Sequence, residues 1–154
     1  MATIRSSIPS VYAAVLALTT SRLLKQAVGG GGDVQVFDGE LATYVPDEFV
    51  VLNGITNGRQ AWGSIGTQRR NETFDINGMV RVWAGGDGQA GLRQRAFDIA
   101  AILESALDTD PFVGGVVNGT VQFTAGDVRF GVQDDGRFCE LDFFLSCVTQ
   151  LIAF

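Results

Sequence analysis

"TFDINGMVRVWAGGDGQAGLRQRAFDIAAIL", residues 73–103, decides how the chain folds. Phe74, Ile76, Val80 and Val82 hold one period-2 phase straight across Asn77-Gly78, a dipeptide that ordinarily announces a two-residue hairpin turn. A hairpin there would set Ile76 opposite Met79, Phe74 opposite Arg81 and Val80 opposite Asp75, mixing polar and apolar residues on both faces. One strand over about residues 73–84 keeps a clean face, with Gly78 in its middle marking a place for a bulge. Beyond the glycines, Leu92, Ala96, Ile99, Ala100, Leu103 and Leu107 recur at helical spacing and predict a helix over about residues 89–107.

Between strand and helix, Gly86, Gly88 and Gly91 spell G-x-G-x-x-G, and Asp108 follows about twenty residues later, as in a dinucleotide-binding fingerprint. A small nucleotide-binding domain using residues 86–91 is therefore one reading. Arg81 and Met79 oppose it: the fingerprint's strand is parallel, buried on both faces and apolar throughout. Asp87 would also repel a phosphate in that loop. A structural strand-to-helix turn, with Asp87 near the helix start, is the better reading.

Composition narrows the chemistry. The chain has 154 residues, 46 % hydrophobic and 18 % charged, with a net charge of −6 and no histidine. That length suits one domain, residues 1–154. The acidic balance opposes a nucleic-acid-binding surface, which needs a basic patch. Without histidine there is no Ser-His-Asp or Cys-His nucleophile and no common zinc site. The acidic residues cluster at turns, such as Asp38-Gly39-Glu40 and Asp134-Asp135-Gly136, where solvation explains them. Asp108-Thr109-Asp110 starts like a calcium loop, but Phe112 takes the next ligand position. No catalytic residue, cofactor or metal is expected.

Residues 9–28 read as an amphipathic helix rather than a signal peptide, with Ile8, Val11, Tyr12, Val15, Leu16, Leu23, Leu24 and Ala27 on one stripe. Ser7 is placed to cap it and Pro9 suits its first turn. The run is too short to span a bilayer, so the chain is expected in the cytoplasm when made, without a membrane partner. Gly29–Gly32 breaks the helix, a short strand follows at residues 34–37, then a turn at Asp38-Gly39 and a strand at residues 49–52. Residues 53–71, "NGITNGRQAWGSIGTQRRN", show no steady period and read as a long irregular loop. Strands at residues 116–132 and 138–152 close the chain. Val121 and Phe123 stand in one phase and Val128, Phe130 and Val132 in the other, so a bulge or tight turn is expected at Ala125-Gly126. Cys139 and Cys147 share the apolar face of the last strand with Leu141, Phe143 and Leu145. In one continuous strand they stand roughly 26 Å apart, too far to bond, and are expected reduced and buried.

The order of these pieces resembles the tail terminator (tail completion) proteins of long-tailed, non-contractile bacteriophages. The resemblance covers nearly the whole chain: the capped N-terminal helix, "VFDGE" at residues 36–40, "EFVVLNG" at 48–54, "VRVWAGGDG" at 80–88, "AFDIAAILESAL" at 96–107, and two closing strands around a D-G turn. It implies an α+β fold, a mostly antiparallel β-sheet with two main helices packed on one face. It also implies a non-catalytic role in the virion, at the head-proximal end of the tail. Six copies would form a ring on the tail tube, stop its growth and meet the head connector. The implied partners are further copies of the chain, the tail tube protein, a head-completion protein, and genomic DNA passing through the lumen without specific binding. The acidic balance suits carboxylates lining that lumen. Other neck or tail roles, a stopper or a tube subunit, are the near alternatives. Arg59, Trp62, Arg69 and Arg70 in the irregular segment are of types enriched at interface hot spots, and with Asp87 they are the expected inter-subunit or tube-contacting residues.

Overall fold

The structure is a computed structural model describing residues 6–23, 34–39, 46–62, 69–85, 88–117, 119–133 and 136–152, with the backbone alone for Trp62, Arg69, Gln133 and Ile152. Its elements run α1 (Ile8–Leu23), β1 (Gln35–Asp38), β2 (Glu48–Trp62), β3 (Arg69–Gly85), α2 (Gln89–Thr109), β4 (Gly119–Gln133) and β5 (Gly136–Ile152). The strands form one sheet in the order β1-β2-β3-β5-β4. Only β1 with β2 is parallel; the other three ladders are antiparallel. The fold is α+β.

β3 is one unbroken strand. Its register with β5 runs from Arg69 opposite Ile152 to Gly85 opposite Gly136 without a shift, straight through Asn77-Gly78. The expected bulge in β3 is instead in its neighbour, where Leu52 faces Gly78 and Gly54 faces Asn77, leaving Asn53 as the extra residue. Gly78 has a packing reason: a Cβ there would lie 2.3 Å from Cζ of Phe143, whose ring fills the space above it. In β4 the register shift falls between Ala125 and Val128, as the change of phase requires. That strand begins at Gly119, because Val113, Gly114 and Gly115 turn through positive φ ahead of it.

Direct opposition across a ladder puts residues on one face. Phe74, Ile76, Val80 and Val82 therefore share a face with Cys139, Leu141, Leu145 and Cys147, and all are buried. Against that face α2 packs the expected stripe, Leu92, Ala96, Ile99, Ala100, Leu103 and Leu107, with Ala106 added. α1 contributes Val11, Val15 and Leu23, and Ile8, Tyr12 and Leu16 pack partly buried against the same core. Leu24, Ala27 and the expected end of α1 at residue 28 lie outside the described residues. Both cysteines are free and buried, and burial pushes the Cys147 thiol up to about 12, with Asp75 adding to it. β2 departs from the one-sided pattern at its start: Phe49 and Val51, on the face away from the helices, are also buried, and Phe37 meets Phe49 edge-on at 5.7 Å.

The expected loop over residues 53–71 is corrected by the structure. β2 continues to Trp62 and β3 begins at Arg69, so most of the segment is a long hairpin, with residues 63–68 outside the described part. Its alternation is lost because residues 53 and 55–61 are exposed, so neither face demands apolar side chains. Two register shifts, at Leu52/Gly54 and Thr56/Arg59, break the period further, and Asn57 sits at φ +57°.

Candidate functional site

The hairpin brings four of the five expected contact residues to one end of the sheet. Trp62 stands opposite Arg70, and Arg59 opposite Thr73. Arg69 pairs with Ile152 and Arg70 with Leu151 in β5. Ladder alternation puts Arg70 on the helix-side face and Arg59 on the open one. Arg59 is exposed and Arg70 half-buried. Asp87 does not join them. It lies outside the described residues and follows the opposite end of β3, a strand about 56 Å long at 3.3 Å per residue.

The same end holds a buried carboxylate that the sequence reading passed over. Glu72 is 2 % exposed and points into the helix-side face. Its Oε1 accepts from the Ser7 backbone N–H at 2.7 Å and the Ser7 hydroxyl at 2.6 Å; its Oε2 accepts from Ser6 Oγ and Gln60 Nε2, both at 2.8 Å. Ser7 Oγ also meets Thr149 Oγ1 at 2.8 Å. Burial, the largest single influence, would raise the Glu72 pKa. The bonds from Ser7, Gln60 and Ser6 together outweigh it and hold the carboxyl below its usual range. Ser7 does begin α1, since Val11 N–H donates to its carbonyl, but its hydroxyl turns away to Glu72. A carboxylate from a strand thus sits at the positive end of the α1 dipole, where a negative charge is favoured. One signal was available: Glu72 stands in phase with Phe74 and Ile76, an acidic residue at an inward position.

The open face carries a second cluster. Arg129 donates to Asp142 at 2.7 and 3.0 Å and to Glu140 at 3.1 and 3.2 Å. Arg81 reaches Glu140 at 3.6 Å and lies 4.7 Å above the Phe138 ring. These charges are paired across three adjacent strands, as cross-strand neighbours of opposite sign should be. A shallow cleft of about 450 Å³ beside them is lined by Asn53, Asn77, Asp127 and Phe144.

At the glycine turn the nucleotide reading meets a topological objection. β3, the strand leading into it, is antiparallel to both neighbours, whereas the fingerprint's strand is parallel. Gly86 and Asp87 lie outside the described residues; Gly88 is the N-cap of α2 and Gly91 is in its first turn. Asp108 is exposed near the far end of α2, not at a strand end. A cleft of about 510 Å³ opens beside the turn, lined by Asp47, Trp83, Leu92 and the Arg95–Glu48 ion pair. Arg95 closes that pair through Nε and Nη2. Among the described residues no group of three or more Cys, Asp or Glu is arranged to hold a metal. No helix among them is long and apolar enough to cross a membrane.

No protein-family model matches the chain, and none of the curated proteins does. Among solved structures, it is similar to a chain described as "Virion of native gene transfer agent (GTA) particle", at 17 % identity and a TM-score of 0.44, over 90 % of this chain and 98 % of that one.

Proposed function

We propose that this chain is a structural virion protein, a tail terminator. Six copies cap the tail tube as a ring, end its polymerisation and offer a surface to the head connector. The observation that carries the reading is the order of elements. An N-terminal helix, a short strand, a further strand, a long strand ending at the glycines, a helix after them and two closing strands follow the succession on which the resemblance to phage tail terminators rests. The paired charges described above also fit a protein that makes contacts rather than one that does chemistry. A ring subunit needs two different complementary surfaces, and the two sides of this sheet differ in sequence and in cover.

Electron microscopy of the purified protein with and without polymerising tail tube protein tests the proposal. Sixfold rings on tube ends, and tubes that stop growing when the protein is added, are expected. Filaments of the chain itself, lengthening without limit, would make it a tube subunit instead. Tubes that grow unchecked and uncapped would end the tail-terminator reading.

A further inference from the structure

The two edges of the sheet are open in a way that suits each other. β1 covers β2 only from Phe49 to Leu52; among the described residues, β2 beyond Leu52 pairs with β3 alone. β4, at the other edge, pairs among the described residues with β5 alone. Unpaired strand edges are templates for another strand. Three successive antiparallel ladders separate β2 from β4, so the two edge strands run in opposite directions. A copy that continues the sheet in the same sense therefore sets its β2 antiparallel to β4, the more stable way to pair.

The levels match as well. Leu52, Gly78, Phe143 and Ala125 stand in one row across the sheet, and at that row three things coincide: β1 ends, β2 bulges and β4 bulges. Past it, the regular span of β4, Gly119 to Ala125, is level with the part of β2 that β1 leaves bare. Ile55 and Phe123 share a further row, through Ile76 and Leu145, on the helix-side face. Ile55 is 38 % exposed, an apolar side chain at an open edge that a neighbouring Phe123 would cover.

We propose that copies of this chain join edge to edge, residues 119–125 of β4 pairing antiparallel with residues 54–61 of the next copy's β2. The end of β1 acts as the stop that sets the register. The contact is head-to-tail, and repetition with the sheet's twist closes the sheet on itself, the arrangement that abolishes edges. The inference takes its partner, a second copy, from the ring reading above.

Disulfide trapping tests it. Thr56→Cys on β2 is combined in one chain with Thr120→Cys, Gln122→Cys or Thr124→Cys on β4. All four positions lie on the open face, and directly opposed strand residues are within disulfide reach. The native cysteines are buried and stay out of the reaction. Under mild oxidation at least one pair is expected to yield a covalent ladder reaching a closed multimer, while each single substitution stops at dimers. Rings seen by microscopy with no ladder from any pair would overturn the edge contact and leave the ring standing. No ladder and no rings would remove both. A ladder from a protein that fails to cap tubes would keep the edge contact and sink the tail-terminator reading alone.

Discussion

One strand passes through two regimes. From Phe49 to Leu52, β2 is buried on both faces, with β1 beside it and α1 and α2 above. From Asn53 to Ala61 it is exposed, apart from half-buried Gly54, and carries two register shifts. The backbone pairs with β3 in both halves, so hydrogen bonding does not separate them. What separates them is cover. The inner half is committed to the fold, and the outer half, folded but bare, is free to serve a contact.

The largest expected effect follows from that contrast. Leu52→Ala removes a fully buried side chain and should cost about 2–5 kcal/mol, the transfer term plus a cavity. Ile55→Ala, three residues on, should stay within about 0.5 kcal/mol. Urea denaturation of the two variants measures both. Equal losses would mean that the outer half is packed in the monomer, and the division would collapse.

Glu72 joins the halves, because its carboxylate binds Gln60 of the outer β2 and Ser6 and Ser7 at the start of α1. Glu72→Gln keeps the shape but trades charge-assisted acceptors for an amide, so a loss of about 1–3 kcal/mol near neutral pH is expected. The sign with pH follows from the lowered pKa. The contribution is complete above the unfolded carboxyl's value of about 4.3 and fades as pH falls through the lower folded value. Wild type should therefore lose its advantage over Glu72→Gln on acidification, as followed by thermal melts between pH 7 and pH 3. A gap that stays constant with pH would show that folding leaves the carboxyl's pKa where it is in the unfolded chain.

The glycines give a finer version of the same comparison. Gly78→Ala drives a Cβ into the Phe143 ring and should cost about 1–3 kcal/mol through overpacking. Gly58→Ala meets nothing within 4 Å in the outer half, and its change should stay within about 0.5 kcal/mol. Parallel chemical denaturation of the pair decides; a silent Gly78→Ala would mean that Phe143 readily leaves its place.

The contrast also explains how much could be read in advance. Where a face is buried, the residues carry its period: Phe74 to Val82 in β3, Leu92 to Leu107 in α2, and the change of phase at Ala125 were all legible. In the outer β2 no burial imposes a period, and Asn57, Gly58 and the register shifts look like loop composition, so a strand was read as irregular. The Glu72 cluster unites positions 6, 7, 60, 72 and 149, and a carboxylate in an apolar phase was its only local trace. The Arg95–Glu48 pair spans 47 positions and reaches across the cleft between α2 and the start of β2, which no local pattern encodes. The expected contact residues fared likewise. Arg59, Trp62, Arg69 and Arg70 were drawn together by residue type, and the hairpin does place them at one end, but Asp87 follows the other end of β3.

The smallest expected change in stability carries the most about function. Arg59 is exposed on the outer β2, opposite Thr73, within the span proposed to meet a neighbour's β4. In the monomer a charge reversal there removes no buried contact, so Arg59→Glu should unfold within about 0.5 kcal/mol of wild type. In the edge register proposed above Arg59 is level with Thr120 of the next copy, and the same reversal adds two negative charges at the seam to every copy of a chain already at −6. Like net charge on every copy opposes association more than it disturbs a fold. Light scattering across a concentration series, read beside the denaturation curve, separates the two effects. An unchanged midpoint with weakened assembly, partly restored by salt as screening predicts, is the expected outcome. A variant that assembles like wild type would take Arg59 out of the contact. One that unfolds early would show that the outer half of β2 is held by the monomer after all.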